Sequence, residues 1–252
     1  MLGAGIKKAR AVRAAIGYHH PTELPIEVLA HMRGALVRPT PTTGARANVM
    51  RAGERAIISV AADLEHGPRR WAISHEVGHL ETHPSVNYVG LCTGEDLVAD
   101  YLTSGREPEA NAFAAELLMP EDLYEKRCDV RKVSWDPIKA LADDFQVSLT
   151  AAAFRFVDFT YDRVAVFICK DGVVKTSKAT RDFGQRLKKG DKLDQLSLAY
   201  DFFKKGSCGT RPETISACAW VPNARDDSDL IEHVFPMPGI GMVLSLLWFP
   251  AS

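Results

Sequence analysis

The sequence predicts an α+β protein built in parts, on three observations. Up to about residue 160, three short strand-like runs precede a series of helix-like segments. From about Arg163 the pattern changes to β-runs broken by turn residues, first Val164 to Cys169, then Asp171-Gly172, then Val173 to Lys175. The composition, 46% hydrophobic and 25% charged, is that of an ordinary soluble globular chain, and 252 residues suffice for one large domain or two to three small ones.

Residues 5–16 read as a short basic amphipathic helix stopped by Gly17. Thr22 is placed to cap a second helix to about Met32, with Pro25 in its first turn and Gly34 past its end. Ala35 to Arg38, about Ala47 to Arg51, and Ala56 to Val60 read as strands, separated by Pro39-Thr40-Pro41, Gly44 and Gly53. A helix from about Gly67 to Thr82 follows, ended by Pro84, and residues 84–106 are loop-rich. Glu107 to Leu118 is a strong helix with Pro108 in its first turn, closed by Met119-Pro120. Further helices are expected at about 121–128, 137–145 and 148–159. The last two resemble a helix-turn-helix whose second helix is capped by Ser148. Ile215 to Val221 and Ile240 to Phe249 are further strand candidates. The expected division is residues 1–128, a helical segment at 129–160, and a small α+β domain at 161–252.

Several classes are disfavoured. The formal net charge of −1 gives no global bias toward nucleic acid or membrane. Lys7, Lys8, Arg10 and Arg13 interrupt the start of the chain, which lacks the apolar core of a signal peptide. No run approaches the ~20 apolar residues of a bilayer span. The 5 cysteines are scattered without a Cys-x-x-Cys pair, which argues against a disulfide framework or a structural zinc finger and for a reducing cytoplasm.

The chemistry is concentrated in His75-Glu76-Val77-Gly78-His79. Two histidines four apart on a helix project from one face and can close on one zinc ion, with the intervening glutamate placed to polarise a water. This is the zincin arrangement, and it predicts a zincin-like metallopeptidase core holding one Zn2+ per chain. Gly78 in mid-helix costs about 1 kcal/mol relative to alanine, so a close neighbour is expected there. A third ligand must come from elsewhere. His83 continues the spacing but lies about 6 Å further along the helix axis, as a residue of the helix end. Glu95, Asp96 and Asp100 read as solvated loop residues. Glu109, on the helix from Glu107 to Leu118, fits a ligand supplied by a neighbouring helix, with Glu107 the near alternative. Glu116 lies two turns on and is left unassigned.

Taken with the later run Glu109-Ala110-Asn111-Ala112-Phe113-Ala114-Ala115-Glu116-Leu117-Leu118-Met119-Pro120, the first motif resembles the ImmA/IrrE family of metallo-endopeptidases over roughly residues 20–160. The resemblance implies His75, His79 and Glu109 as zinc ligands and Glu76 as general base. It implies packing roles for Asn111, Phe113 and the Leu-Leu-Met-Pro run. It also implies a helix-turn-helix repressor as substrate, cut once to derepress a stress, DNA-damage, mobile-element or phage-defence operon. Some family members carry a C-terminal domain likened to a GAF sensor, and residues 161–252 are similar in size and placement.

Regulation has three candidate seats. Cys92, in the loop between the two motifs, is a possible inhibitory fourth metal ligand, since thiolate binds zinc better than water does. The basic stretch 175–192 reads as a solvated face or as a contact to nucleic acid. In the second reading Lys178, Arg181, Arg186, Lys188 and Lys189 meet phosphates, Phe183 stacks on a base, and single-stranded DNA activates the enzyme. The helix-turn-helix-like segment carries Asp143 and Asp144 and few cations, which favours a structural role over DNA reading. The rival functions are a non-proteolytic transcription regulator and a sensory binding module, each on a protease scaffold.

Overall fold

The structure, a computed structural model, describes residues 2–41, 45–53, 55–83, 92–93, 106–225 and 228–250. The chain divides into two compact units, residues 1–123 with 142–151, and residues 124–141 with 152–252.

In the first unit α1 (Leu2–Ile16) and α2 (Ile26–Met32) precede β1 (Ala35–Thr40), β2 (Ala45–Ala52) and β3 (Arg55–Ala61). Then come α3 (His66–Thr82), β4 (Cys92–Thr93) and α4 (Arg106–Leu118). The sheet runs β1-β3-β2-β4, with β1 parallel to β3 and the other two pairs antiparallel. Alternation along the strands separates two faces. Ala47 and Val49 of β2 and Ile58 and Val60 of β3 are buried, whereas Leu36 and Met50 flank Ile57 on the opposite, more open face. Helix α3 packs across β2 and β3. Every residue from Arg70 to Leu80 is buried, so this stretch of α3 has no exposed face and is set deep in the unit. Two glycines let other backbones approach it. A Cβ on Gly67 would stand 2.8 Å from the carbonyl carbon of Val147, and one on Gly78 would stand 3.0 Å from the Ala110 carbonyl oxygen. The close neighbour expected at Gly78 is therefore α4. Thr22 does not cap α2. Pro25 holds the N-cap position, and the Thr22 hydroxyl meets His20 Nδ1 at 2.8 Å.

Helices α5 (Glu121–Tyr124), α6 (Trp135–Phe145) and α7 (Leu149–Phe159) are shared between the units. The tight turn between α6 and α7 places Gln146 at φ 52°, and Ser148 Oγ accepts from the Ala151 amide at 3.1 Å as the expected cap. In α7 the residues from Ala151 to Val157 are all buried.

The second unit continues with β5 (Arg163–Lys170), β6 (Val173–Ala179), α8 (Leu198–Lys205), β7 (Glu213–Ser216), β8 (Asp229–Met237) and β9 (Met242–Phe249). All neighbours in the sheet order β6-β5-β9-β8-β7 are antiparallel. Asp171 and Gly172, at φ 56° and 71°, make the expected hairpin turn between β5 and β6. Phe167, Phe183, Trp220, Leu230 and Leu247 build the core. The strand expected over 215–221 stops at Ser216, where Ala217–Ala219 turn inward as a short 3-10 helix and bury Trp220. Among the described residues no helix is long and apolar enough to cross a membrane.

Candidate metal centre

The two histidines meet as their spacing requires. His75 and His79 lie on one face of α3, 0% and 2% exposed, and their Nε2 atoms are 3.0 Å apart. The carboxylate beside them belongs to Glu107. Its Oε2 is 3.0 Å from His75 Nε2 and its Oε1 is 3.3 Å from His79 Nε2. Glu109 is placed elsewhere, with Oε2 at 3.2 Å from His83 Nε2. The reason is helical phase. Residues two apart differ by about 200° around a helix, so Glu107 and Glu109 cannot share the face that α4 turns toward His75 and His79. That face is Glu107, Ala110 and Asn111. Ala110 meets Gly78, and Asn111 meets His75.

Asn111 is more than a packing residue. It is 1% exposed, and its Oδ1 lies 2.8 Å from His75 Nδ1. Accepting the Nδ1 proton there fixes the tautomer and aims the Nε2 lone pair at the cluster. Glu76 follows His75 and is fully buried. Phe113, also fully buried, packs as expected and places a ring carbon 3.1 Å from the position of a Cβ on Gly78. The Thr82 hydroxyl donates to the Gly78 carbonyl at 2.6 Å and meets His83 Nδ1 at 2.9 Å, which orients His83 toward Glu109.

The electrostatics describe three groups competing for one positive charge. Burial pulls His75 down, but the Glu107 hydrogen bond and the charges of Glu76 and Glu107 outweigh it, and its pKa stands above the ordinary imidazole value. Burial prevails at His79, helped by the charges of His75 and His83, and its pKa stands below that value despite Glu107. A divalent cation answers the same demand as the shared proton. The donor set fits zinc. Its usual bond lengths put ligand atoms at tetrahedral corners about 3.3 Å apart, and the three contacts here measure 3.0, 3.0 and 3.3 Å. Among the described residues, His75, His79 and Glu107 form a group able to hold a metal ion.

A model of the IrrE N-terminal-like domain, of the Peptidase_M78 family, matches residues 30–157. The chain belongs to that family. The matched span contains β1 to β3, α3 and its histidines, α4 to α6, and α7 up to Val157. No curated protein matches the chain. Among solved structures, a Mycobacterium tuberculosis transcriptional regulator is similar at a TM-score of 0.60 and 14% sequence identity, over 98% of this chain and 87% of that one. At that identity the likeness is one of fold.

The regulatory residues fare differently. The backbone of Cys92 pairs with Ala47 on β2, and its side chain lies outside the described residues, as do Glu95, Asp96 and Asp100. The basic stretch does not form the expected stacking surface. Phe183 is 2% exposed and packs on Phe249 at a centroid distance of 5.3 Å. Lys178 Nζ is drawn 2.7 Å from Asp158 Oδ1 and is mostly buried. Arg186 is half-buried with Nε 3.4 Å from Ser177 Oγ, which leaves Arg181, Lys188 and Lys189 exposed.

Proposed function

We propose that this chain is a zinc-dependent endopeptidase that cuts a partner helix-turn-helix repressor at one site and so derepresses the genes it controls. The observation that carries this reading is the convergence of His75, His79 and Glu107 beside buried Glu76 in a chain of the IrrE-like peptidase family. In this reading Glu107 takes the ligand position expected of Glu109, and Glu109 holds His83.

Bound there, zinc would supply Lewis acidity toward the scissile carbonyl and lower the pKa of a water toward about 7. The protein's own groups do the rest. Asn111 keeps His75 in the ligating tautomer. Glu76 accepts the proton of the attacking water and returns it to the leaving amine. Glu107 is 39% exposed at the side chain while both imidazoles are buried, so a peptide reaches the centre from the Glu107 side. Residues 161–252 serve as a GAF-like sensory unit, a reading supported by the five-stranded antiparallel sheet with its core built on α8 and Trp220.

The test is co-expression with the helix-turn-helix repressor encoded beside it, followed by intact-mass spectrometry of the repressor. One new terminus with the wild type and none with Glu76→Gln is expected. Equal cleavage by the two would remove Glu76 from the mechanism, and an intact repressor in both would remove the repressor as substrate.

A further inference from the structure

The first turn of α4 carries the carboxylate that completes the centre, and α1 lies against that same turn. Gly5 is buried where the two helices meet. A Cβ there would overlap the carbonyl oxygen of Glu109 and stand 3.1 Å from its carbonyl carbon and 3.1 Å from the Phe113 amide nitrogen. No side chain fits against that backbone oxygen, so glycine alone permits this approach. Ala9 and Val12 continue the buried stripe of α1 at helical spacing. Beyond them Arg10 Nε donates to Glu116 Oε1 at 2.8 Å, and Arg13 Nη1 donates to Asp122 at 2.6 Å. The contacts advance together, Gly5 with Glu109 and Arg10 with Glu116 on α4, then Arg13 with Asp122 on α5. Helix α1 thus runs beside α4 in the same direction and is fixed along its length. It lies outside the span that matches the family, residues 30–157.

Glu109 is held from two sides. Its carbonyl abuts Gly5, and its carboxylate meets His83 at the end of α3. Glu107 stands two residues earlier on the same turn, so its reach toward His75 and His79 depends on where that turn sits.

We propose that α1 is a brace that sets the position of the α4 first turn, with Gly5 as its point of contact, and that it thereby tunes metal affinity at His75, His79 and Glu107. Gly5 and Arg10 are positioning residues. This rests on the metal-centre reading above. A ligand displaced by about an ångström is enough to degrade a site built on rigid elements.

The test uses the full chain and zinc alone. Gly3 supplies an internal control, because it lies on the same helix with nothing within 4 Å of a Cβ. Both exchanges replace glycine by alanine in the first turn of α1, and only at Gly5 does the new Cβ meet another backbone. Zinc affinity is read by competition with a chromophoric chelator. Coordination geometry is read from the visible spectrum of the cobalt-substituted protein. Gly5→Ala is expected to bind zinc about ten- to hundred-fold more weakly, as for loss of a group that orients a ligand, with an altered cobalt spectrum. Gly3→Ala is expected to match the wild type in both. Arg10→Gln slackens α1 without a clash and is expected to show a smaller loss; if Gly5→Ala fails to fold, Arg10→Gln decides alone. Variants that fold with the zinc affinity and cobalt spectrum of the wild type overturn the brace and leave the metal centre standing. A wild type that binds no zinc overturns the centre, and the brace with it.

Discussion

The sharpest prediction separates two glutamates on one helical turn. Glu107 approaches His75 and His79 at 3.0 and 3.3 Å, whereas Glu109 approaches His83 at 3.2 Å. Exchanging either for glutamine keeps its size and removes its charge. In the proposed centre, the change at Glu107 deletes one of three ligands. Partners that merely orient a ligand are worth 10–100-fold in metal affinity, so the loss of a ligand is expected to reach about 100-fold or more, about 2.7 kcal/mol. At Glu109 the change weakens only the pair with His83, worth about 1 kcal/mol or less, and zinc affinity is expected to fall by less than about tenfold. Chelator competition on the two variants reads both numbers, and the melting temperature of the zinc-free proteins shows that each is folded. Strong zinc binding by Glu107→Gln together with its loss in Glu109→Gln would refute the helical-phase argument.

Three further outcomes follow from the same contacts. Asn111→Ala removes the acceptor at His75 Nδ1 and is expected to weaken zinc binding by about 10–100-fold, while Asn111→Asp, which keeps an acceptor, retains most of it; equal losses in both would assign Asn111 to packing alone. In the second unit, Glu232 is fully buried and accepts from Leu198 N, Ala199 N, Trp220 Nε1 and Ser245 Oγ at 2.8, 3.2, 3.0 and 2.9 Å. Glu232→Gln turns an amide NH2 toward two of these donors and is expected to destabilise the unit by about 2–4 kcal/mol in urea unfolding; an unchanged midpoint would contradict the network. His233 accepts from the Trp135 amide through Nδ1 at 3.2 Å and donates to the Thr210 carbonyl through Nε2 at 3.0 Å, a pattern only the neutral ring satisfies. Burial lowers its pKa below the ordinary imidazole value of 6.5. A lowered histidine stabilises the fold above its unfolded pKa and ceases to as pH falls through the folded value. Tryptophan fluorescence, with Trp135, Trp220 and Trp248 in this unit, should therefore report easier unfolding at pH 5 than at pH 7.5. That difference should shrink in His233→Gln, and a slope independent of His233 would refute the assignment.

The sequence was legible where local pattern and burial agreed. Val49 and Ile58 alternate as strand residues should, and Gly78 marked a close helix contact by its intrinsic penalty in mid-helix. His75 and His79 were readable because four residues make one helical turn. Of the two glutamates weighed for the third position, Glu109 was preferred, whereas the structure brings Glu107 beside His75 and His79, and a signal for that was present. Glu107 and Asn111 are one turn apart, so they share a face that Glu109 cannot join. Strand β8 escaped because Glu232, His233 and Pro236 interrupt its apolar run. Both polar side chains are tolerated inside only through partners distant in sequence, Leu198 and Ser245 for one, Trp135 and Thr210 for the other. Helix α8 is a single short element of 8 residues, capped by Ser197 and closed by Gly206 at φ 76°, too brief to establish a period. In the stretch 175–192 composition alone did not separate a solvated face from a nucleic-acid contact. The cations are real, but Phe183 belongs to the core and Lys178 to Asp158.

The most direct test of the central claim is the zinc content of the purified chain by elemental analysis, taken on wild type, His79→Ala and Glu76→Gln together. A catalytic zinc centre predicts one zinc per chain in the wild type, none in His79→Ala, and one in Glu76→Gln, because Glu76 moves protons and binds no metal. A wild type without zinc, or zinc that survives His79→Ala, would contradict it.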